Sequence, residues 1–451
     1  MIGNNPFRFE VSEISKKGSI ALCNYVEAQI ELGSKVIRAT NVKGMIRYRD
    51  YIEDYAQQFT VTLTTTLAQY EQIIHSDLSN IKITLTMFDL PVNAPFSYSI
   101  LRNPKEFTYK AKILNIDSSQ ISQNNTMINN PDVGNLTFKE FSVQLLEPSF
   151  ESVSIKTVGG PFRKTNGIEL IKTLLTKWST EDEIDAITSV KGVDVVDGYN
   201  EAIREQIIID HTTPLVKAIQ LINESCGGVY PTGFSFFLQN QLWYIFPPYD
   251  LTRFNKTNRT ITVVNLPKDR LPGIEKTFFN SQTKLIVLST RNAKYIDNRE
   301  ANTFNKGSSF RFVEANRLYE GFGQVQDNKF MVNAGNNVNE VTIGQRSDNA
   351  NILRSTDVKI TSNKNNELSK LAMNNGFYFQ LTWEHSDDSL LHPGMPAKVL
   401  FLKNNQPASV TGTLIESETQ WVPIEQNFKY VKLQRMTAMT FFVGNEEYLN
   451  S

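Results

Sequence analysis

The chain has 451 residues, too many for one ordinary core, and its length alone sets an expectation of about three domains. Its 46 basic and 47 acidic residues leave a formal charge of -1, so there is no global positive excess to hold a nucleic-acid backbone. Hydrophobic residues at 40% and aromatics at 11% supply enough apolar matter for packed cores, which excludes general disorder.

The start, Met1-Ile-Gly-Asn-Asn-Pro-Phe-Arg8, lacks the basic-then-apolar order of a signal peptide, and no stretch approaches the ~20 apolar residues of a membrane span. A soluble chain without a membrane segment is expected. Strand period dominates the first hundred residues. Phe59, Val61 and Leu63 share one face, as do Ile81, Ile83, Leu85 and Met87, and again Phe107, Tyr109, Ala111 and Ile113. Turn-forming stretches at 76–80 and 89–95 separate them, as in antiparallel hairpins. Residues 117–136 are rich in Ser, Gln and Asn and read as an exposed loop, with strands expected at 138–146 and 153–158. A first β unit thus covers residues 1–160.

Helical signals follow over 161–250. Asn166 is placed to cap a helix carrying Ile168, Ile171, Leu174, Leu175 and Trp178. A second helix takes Thr212 or Thr213 as N-cap, Pro214 in its first turn, Leu215, Ala218, Ile219 and Ile222 on one face, and Gly227-Gly228 past its end. An aromatic hairpin, 234–238 and 242–246, turns at Gln239-Asn240-Gln241 and stops at Pro247-Pro248. Residues 251–375 predict short strands on long connections, and 376–445 a second barrel of about five or six strands with Gly394 and Gly412 at turns or bulges; 446–451 is a tail. The fold class is mainly β with α+β insertions: two antiparallel β-barrels joined by a helix-containing region.

Chemistry is sparse. No phosphate-binding glycine loop, nucleophile elbow, His-Glu-x-x-His or paired Cys-x-x-Cys occurs. His75 stands alone. His385, Asp387, Asp388 and His392 have the ligand types of a metal cluster, but a solvated turn between strands explains the same residues and is the preferred reading. Asp210-His211 is expected to lead into the second helix, with the carboxylate near the positive end of its dipole. Trp178 and Trp243 read as core, Trp383 and Trp421 stay open as sugar-stacking candidates, and Cys23 and Cys226 read as buried thiols of a reducing compartment. No catalytic, cofactor-binding or metal residue is assigned, and no cofactor is expected.

Four stretches carry a resemblance: Asp54-Tyr-Ala-Gln-Gln-Phe-Thr-Val-Thr-Leu-Thr65; residues 141–146 with Val158-Gly-Gly-Pro-Phe162 and the helix from Ile168; Thr212 through Gly228 into the aromatic hairpin; and Leu390-Leu-His-Pro-Gly-Met-Pro-Ala-Lys-Val-Leu400. In this order they resemble the baseplate central hub proteins of contractile-tailed bacteriophages of the T-even type, related to the hub region of type VI secretion spike proteins. The resemblance implies two tail-tube-like barrels per chain and a homotrimeric, pseudo-sixfold ring joining a hexameric tail tube to a trimeric central spike. It implies other baseplate proteins as partners, genome DNA passing through the lumen without specific binding, and residence in the virion tail after assembly in the host bacterial cytoplasm. With the sequence ending at Ser451, piercing and digestion are expected of another subunit. The rival readings are a β-rich tail enzyme, a depolymerase or cell-wall hydrolase, and a peripheral receptor-binding tail protein. The Phe441-Phe442 pair is expected to complete a strand.

Overall fold

The computed structural model describes residues 6–77, 80–114, 125–130, 134–178, 189–267, 276–296, 310–315, 325–326, 329–330, 338–343, 365–426 and 430–444. The chain divides into a unit of Met1–Asp297 with Ser362–Ser451 and a unit of residues 298–361. In the second of these, Phe310–Ala315 pairs antiparallel with Val338–Ile343, and Val325–Gln326 with Lys329–Phe330.

The larger unit is mainly β, and its alternating runs become long strands. Leu22–Leu32 pairs with Ile81–Pro91, which pairs with Arg102–Ile113, then Gly134–Leu146, Gln58–Thr66 and Asn41–Asp50 in turn. Asn41–Asp50 pairs with Gln406–Gln426, that strand with Val431–Gly444, and Val431–Gly444 returns to the first strand at Asn24 opposite Leu433. All eight pairings are antiparallel and the circuit closes. Its interior is the alternating set foreseen in the sequence: Phe59, Val61, Leu63, Ile81, Ile83, Leu85, Tyr109, Ala111 and Ile113 are buried together. Phe107, expected with them, lies 39% exposed.

Three local expectations fail here. The turn at 76–80 does not close a hairpin, since Gln58–Thr66 and Ile81–Pro91 pair with other strands; between them Leu67–Ile74 is a helix, started by a capping box between Thr66 and Gln69 and anchored by buried Tyr70 and Ile73. Pro148–Ser154 is helical, with Pro148 in the first turn, so the strand expected from Val153 begins instead at Thr157. Within the expected loop 117–136, Asn125–Asn130 forms a strand paired with the start of Gly134–Leu146; residues 117–124 and 131–133 lie outside the described residues.

A second series of eight strands draws on residues assigned above to an irregular region. Lys276–Asn280 pairs with Lys284–Ser289, then Thr260–Asn265, Pro396–Lys403, Gln406–Gln426, Val431–Gly444, Gly376–Glu384 and Lys294–Ile296. Phe278 of the first of these strands meets Trp383 of the seventh edge-on, with 5.1 Å between ring centres. Thr260–Asn265 runs parallel to both neighbours, which corrects the all-antiparallel expectation. The reason is burial on both faces, which favours a continuous apolar run over alternation. Ile261, Val263, Leu285 and Val287 face the interior, while Val264, Ile286 and Leu288 lie under Phe7 and Ile14 of the N-terminal helix Pro6–Lys17.

The helical region has its own core. Asn166 caps Gly167–Thr173 as expected, its Oδ1 accepting from Glu169 N at 2.8 Å, and Leu174–Trp178 continues as a π-helical turn. The second helix is Leu215–Ser225, but Thr212 and Thr213 belong to the strand Ile203–Pro214 and Pro214 is itself the cap residue, without a side-chain bond. Gly227 and Gly228 follow with φ of 79° and 99°, a conformation that favours glycine. Ser235–Gln239 and Leu242–Phe246 form the aromatic hairpin, its turn residues Asn240 and Gln241 at φ 54° and 65°. Gly192–Val195 adds a parallel third strand.

Candidate functional site

Both β series use the same hairpin. Gln406–Gln426 and Val431–Gly444, 21 and 14 residues long, run through both interiors. In a strand, alternate side chains face one side. Along the second strand the alternate positions read Val431, Leu433, Arg435, Thr437, Met439, Phe441, Val443; along the first they read Ala408, Val410, Gly412, Leu414, then Ser417, Thr419, Trp421. The change from even to odd follows from the irregular register between Leu414 and Glu416, where an extra residue restores the inward alternation. Each strand is therefore apolar at both ends and polar in the middle. Trp421, Val431 and Leu433 belong to the first core, and Ala408, Val410, Leu414, Met439, Phe441 and Val443 to the second.

The polar middle holds a chain of hydroxyls. Thr437 Oγ1 lies 2.7 Å from Ser386 Oγ and 2.9 Å from Thr419 Oγ1, and Ser417 Oγ lies 2.9 Å from the hydroxyl of Tyr51. Beside it is Asp388, 1% exposed, in the short turn after Gly376–Glu384. Arg47 and Arg49 of Asn41–Asp50 reach its Oδ2 at 2.9 and 3.3 Å, and Arg435 of the hairpin lies 3.6 Å from its Oδ1. Arg435 also lies 3.5 Å from Asp387, and its Nε donates to the carbonyl of Ser386. The Arg47 guanidinium stacks over the rings of Phe59 and Trp421, at 4.4 and 5.2 Å from their centres, so one face of this cation belongs to the first apolar core.

Burial disfavours charge on Asp388, but Arg47, Arg49 and Arg435 outweigh it and hold the carboxyl well below its usual range. Nearby Glu147 moves the other way. Burial pushes it up despite bonds to its Oε1 from Gln241 N and Ser149 Oγ. A carboxylate gripped by three guanidinium groups is not free to serve as a base or a ligand. Its physical effect is to fix the turn at 388–390 against Asn41–Asp50, because breaking a buried pair leaves an uncompensated charge.

The residues weighed as a metal cluster are thus separated by role. Asp387 and Asp388 face arginines, His385 lies 3.3 Å from Gln434 Nε2, and His392 stacks on Tyr244 with Nδ1 3.3 Å from its hydroxyl. Burial, with Arg259 and Arg49, pushes His392 down to about 4. Among the described residues, no group of three or more His, Cys, Asp or Glu is arranged to hold a metal. Asp210 and His211 are exposed strand residues, not a lead-in to the helix, which begins at Leu215. His75 is an exposed C-cap. Trp243, Trp383 and Trp421 are all buried, which removes them as sugar platforms; the side chain of Trp178 lies outside the described residues. Cys23 and Cys226 are buried free thiols, and burial pushes Cys23 up to about 11. Phe441 and Phe442 are both buried in their strand, as expected. No helix among the described residues is long and apolar enough to cross a membrane.

No family model matches the chain, and no curated protein matches it. Among solved structures it is similar to a tail protein from Neisseria meningitidis MC58, with 10% identity, TM-score 0.44, and 94% of this chain and 98% of that one covered. It is also similar to the 43 kDa tail protein of prophage MuSo2 from Shewanella oneidensis, with 9% identity, TM-score 0.45, and coverage of 92% and 98%. A type VI secretion system component from E. coli matches at 8% identity and TM-score 0.37, over 92% of this chain and 76% of that one. Likenesses at this level establish neither family nor function.

Proposed function

We propose that the chain is a non-enzymatic structural subunit of a bacteriophage tail, the baseplate hub, and that three copies form a ring with six β units. The supporting observation is the hairpin shared by two strand series of eight. Among the described residues, 25 buried apolar side chains fill the first interior and 22 the second, so the units are comparable in size. A threefold ring of such chains repeats a similar unit six times, which is the geometry needed to meet a hexameric tube on one side and a trimeric spike on the other. In this reading each β unit is a tail-tube-like barrel, the partners are the tube, spike and other baseplate proteins, and genome DNA passes the lumen without specific binding. Assembly takes place in the host bacterial cytoplasm, and the finished ring sits in the virion tail. The engaged state of Asp388 and the burial of three tryptophans fit a scaffold better than a hydrolase.

Negative-stain imaging of the purified chain tests this. Rings with six lobes are expected. Elongated particles, or clearing of cell-wall or polysaccharide substrate in a zymogram, overturn the proposal.

A further inference from the structure

We draw no further inference here: the strongest candidate, the apolar surface patch on the two-stranded ribbon of Thr157–Asn166 and Ile203–Pro214, where Ile203 and Ile208 are exposed, carries nothing because nothing in the structure shows what covers it.

Discussion

The ends of the shared hairpin and its middle solve one packing problem in opposite ways. At the ends, Phe441, Met439 and Leu414 on one side and Trp421 and Leu433 on the other are held by apolar burial, which has no preferred partner and tolerates rearrangement. In the middle, Arg435 joins Arg47 and Arg49 on Asp388, and Thr437 bonds Ser386 and Thr419, in contacts that need particular donors and acceptors. Two cores on one pair of strands would merge or slide if the inward face were apolar throughout. The polar middle separates them and fixes how the hairpin sits against Asn41–Asp50.

That contrast predicts a ranking. Asp388→Ala should cost the most, about 4–5 kcal/mol, because it strands three guanidinium groups without their carboxylate; a denaturant midpoint shift measures it. Phe441→Ala should cost about 3–4 kcal/mol through the cavity it leaves, with no dependence on pH between 4 and 8. If the two swap order, the middle is ordinary packing and not a fastener.

Acid should act in two separate windows. His392 is held neutral in the fold, down to about 4 against an ordinary 6.5, so the unfolded chain takes its proton first. Its contribution is complete above pH 6.5 and lost as pH falls toward 4, on the order of 2–3 kcal/mol in all. His392→Gln should flatten that slope. Asp388 is also held down, so its stabilisation is full above the ordinary value of 3.8 and disappears only as pH falls well below it. Urea midpoints from pH 8 down to pH 2 resolve the two, the His392 slope lying above pH 4 and the Asp388 slope below it. The smallest effect expected is from Thr437→Val, about 1 kcal/mol, from a lost hydroxyl partner to Ser386 and Thr419.

Much of this was readable from sequence where a single period governs. The alternation of Phe59, Val61 and Leu63, the Asn166 cap, the Gly227-Gly228 stop and the Asn240-Gln241 turn all behave as their local chemistry dictates. The helix Leu67–Ile74 was missed because a threonine-rich strand leads into it and it spans only two turns. Thr260–Asn265 was underrated because strands buried on both faces lose alternation, and its parallel partners are distant in the chain. The hairpin's length was hidden by its own polar middle: Arg435 and Thr437 look like the end of a strand unless Val431, Leu433, Met439 and Phe441 are read as one series across them. Asp388 looked like solvated loop since its three cations come from residues 47, 49 and 435, which no local window contains.

Sedimentation equilibrium of the purified chain at neutral pH and low salt addresses the central claim, that three of these two-core chains make a ring of six β units. The account predicts a single species of three chain masses. A species of two chain masses, or a monomer at every concentration, would contradict it.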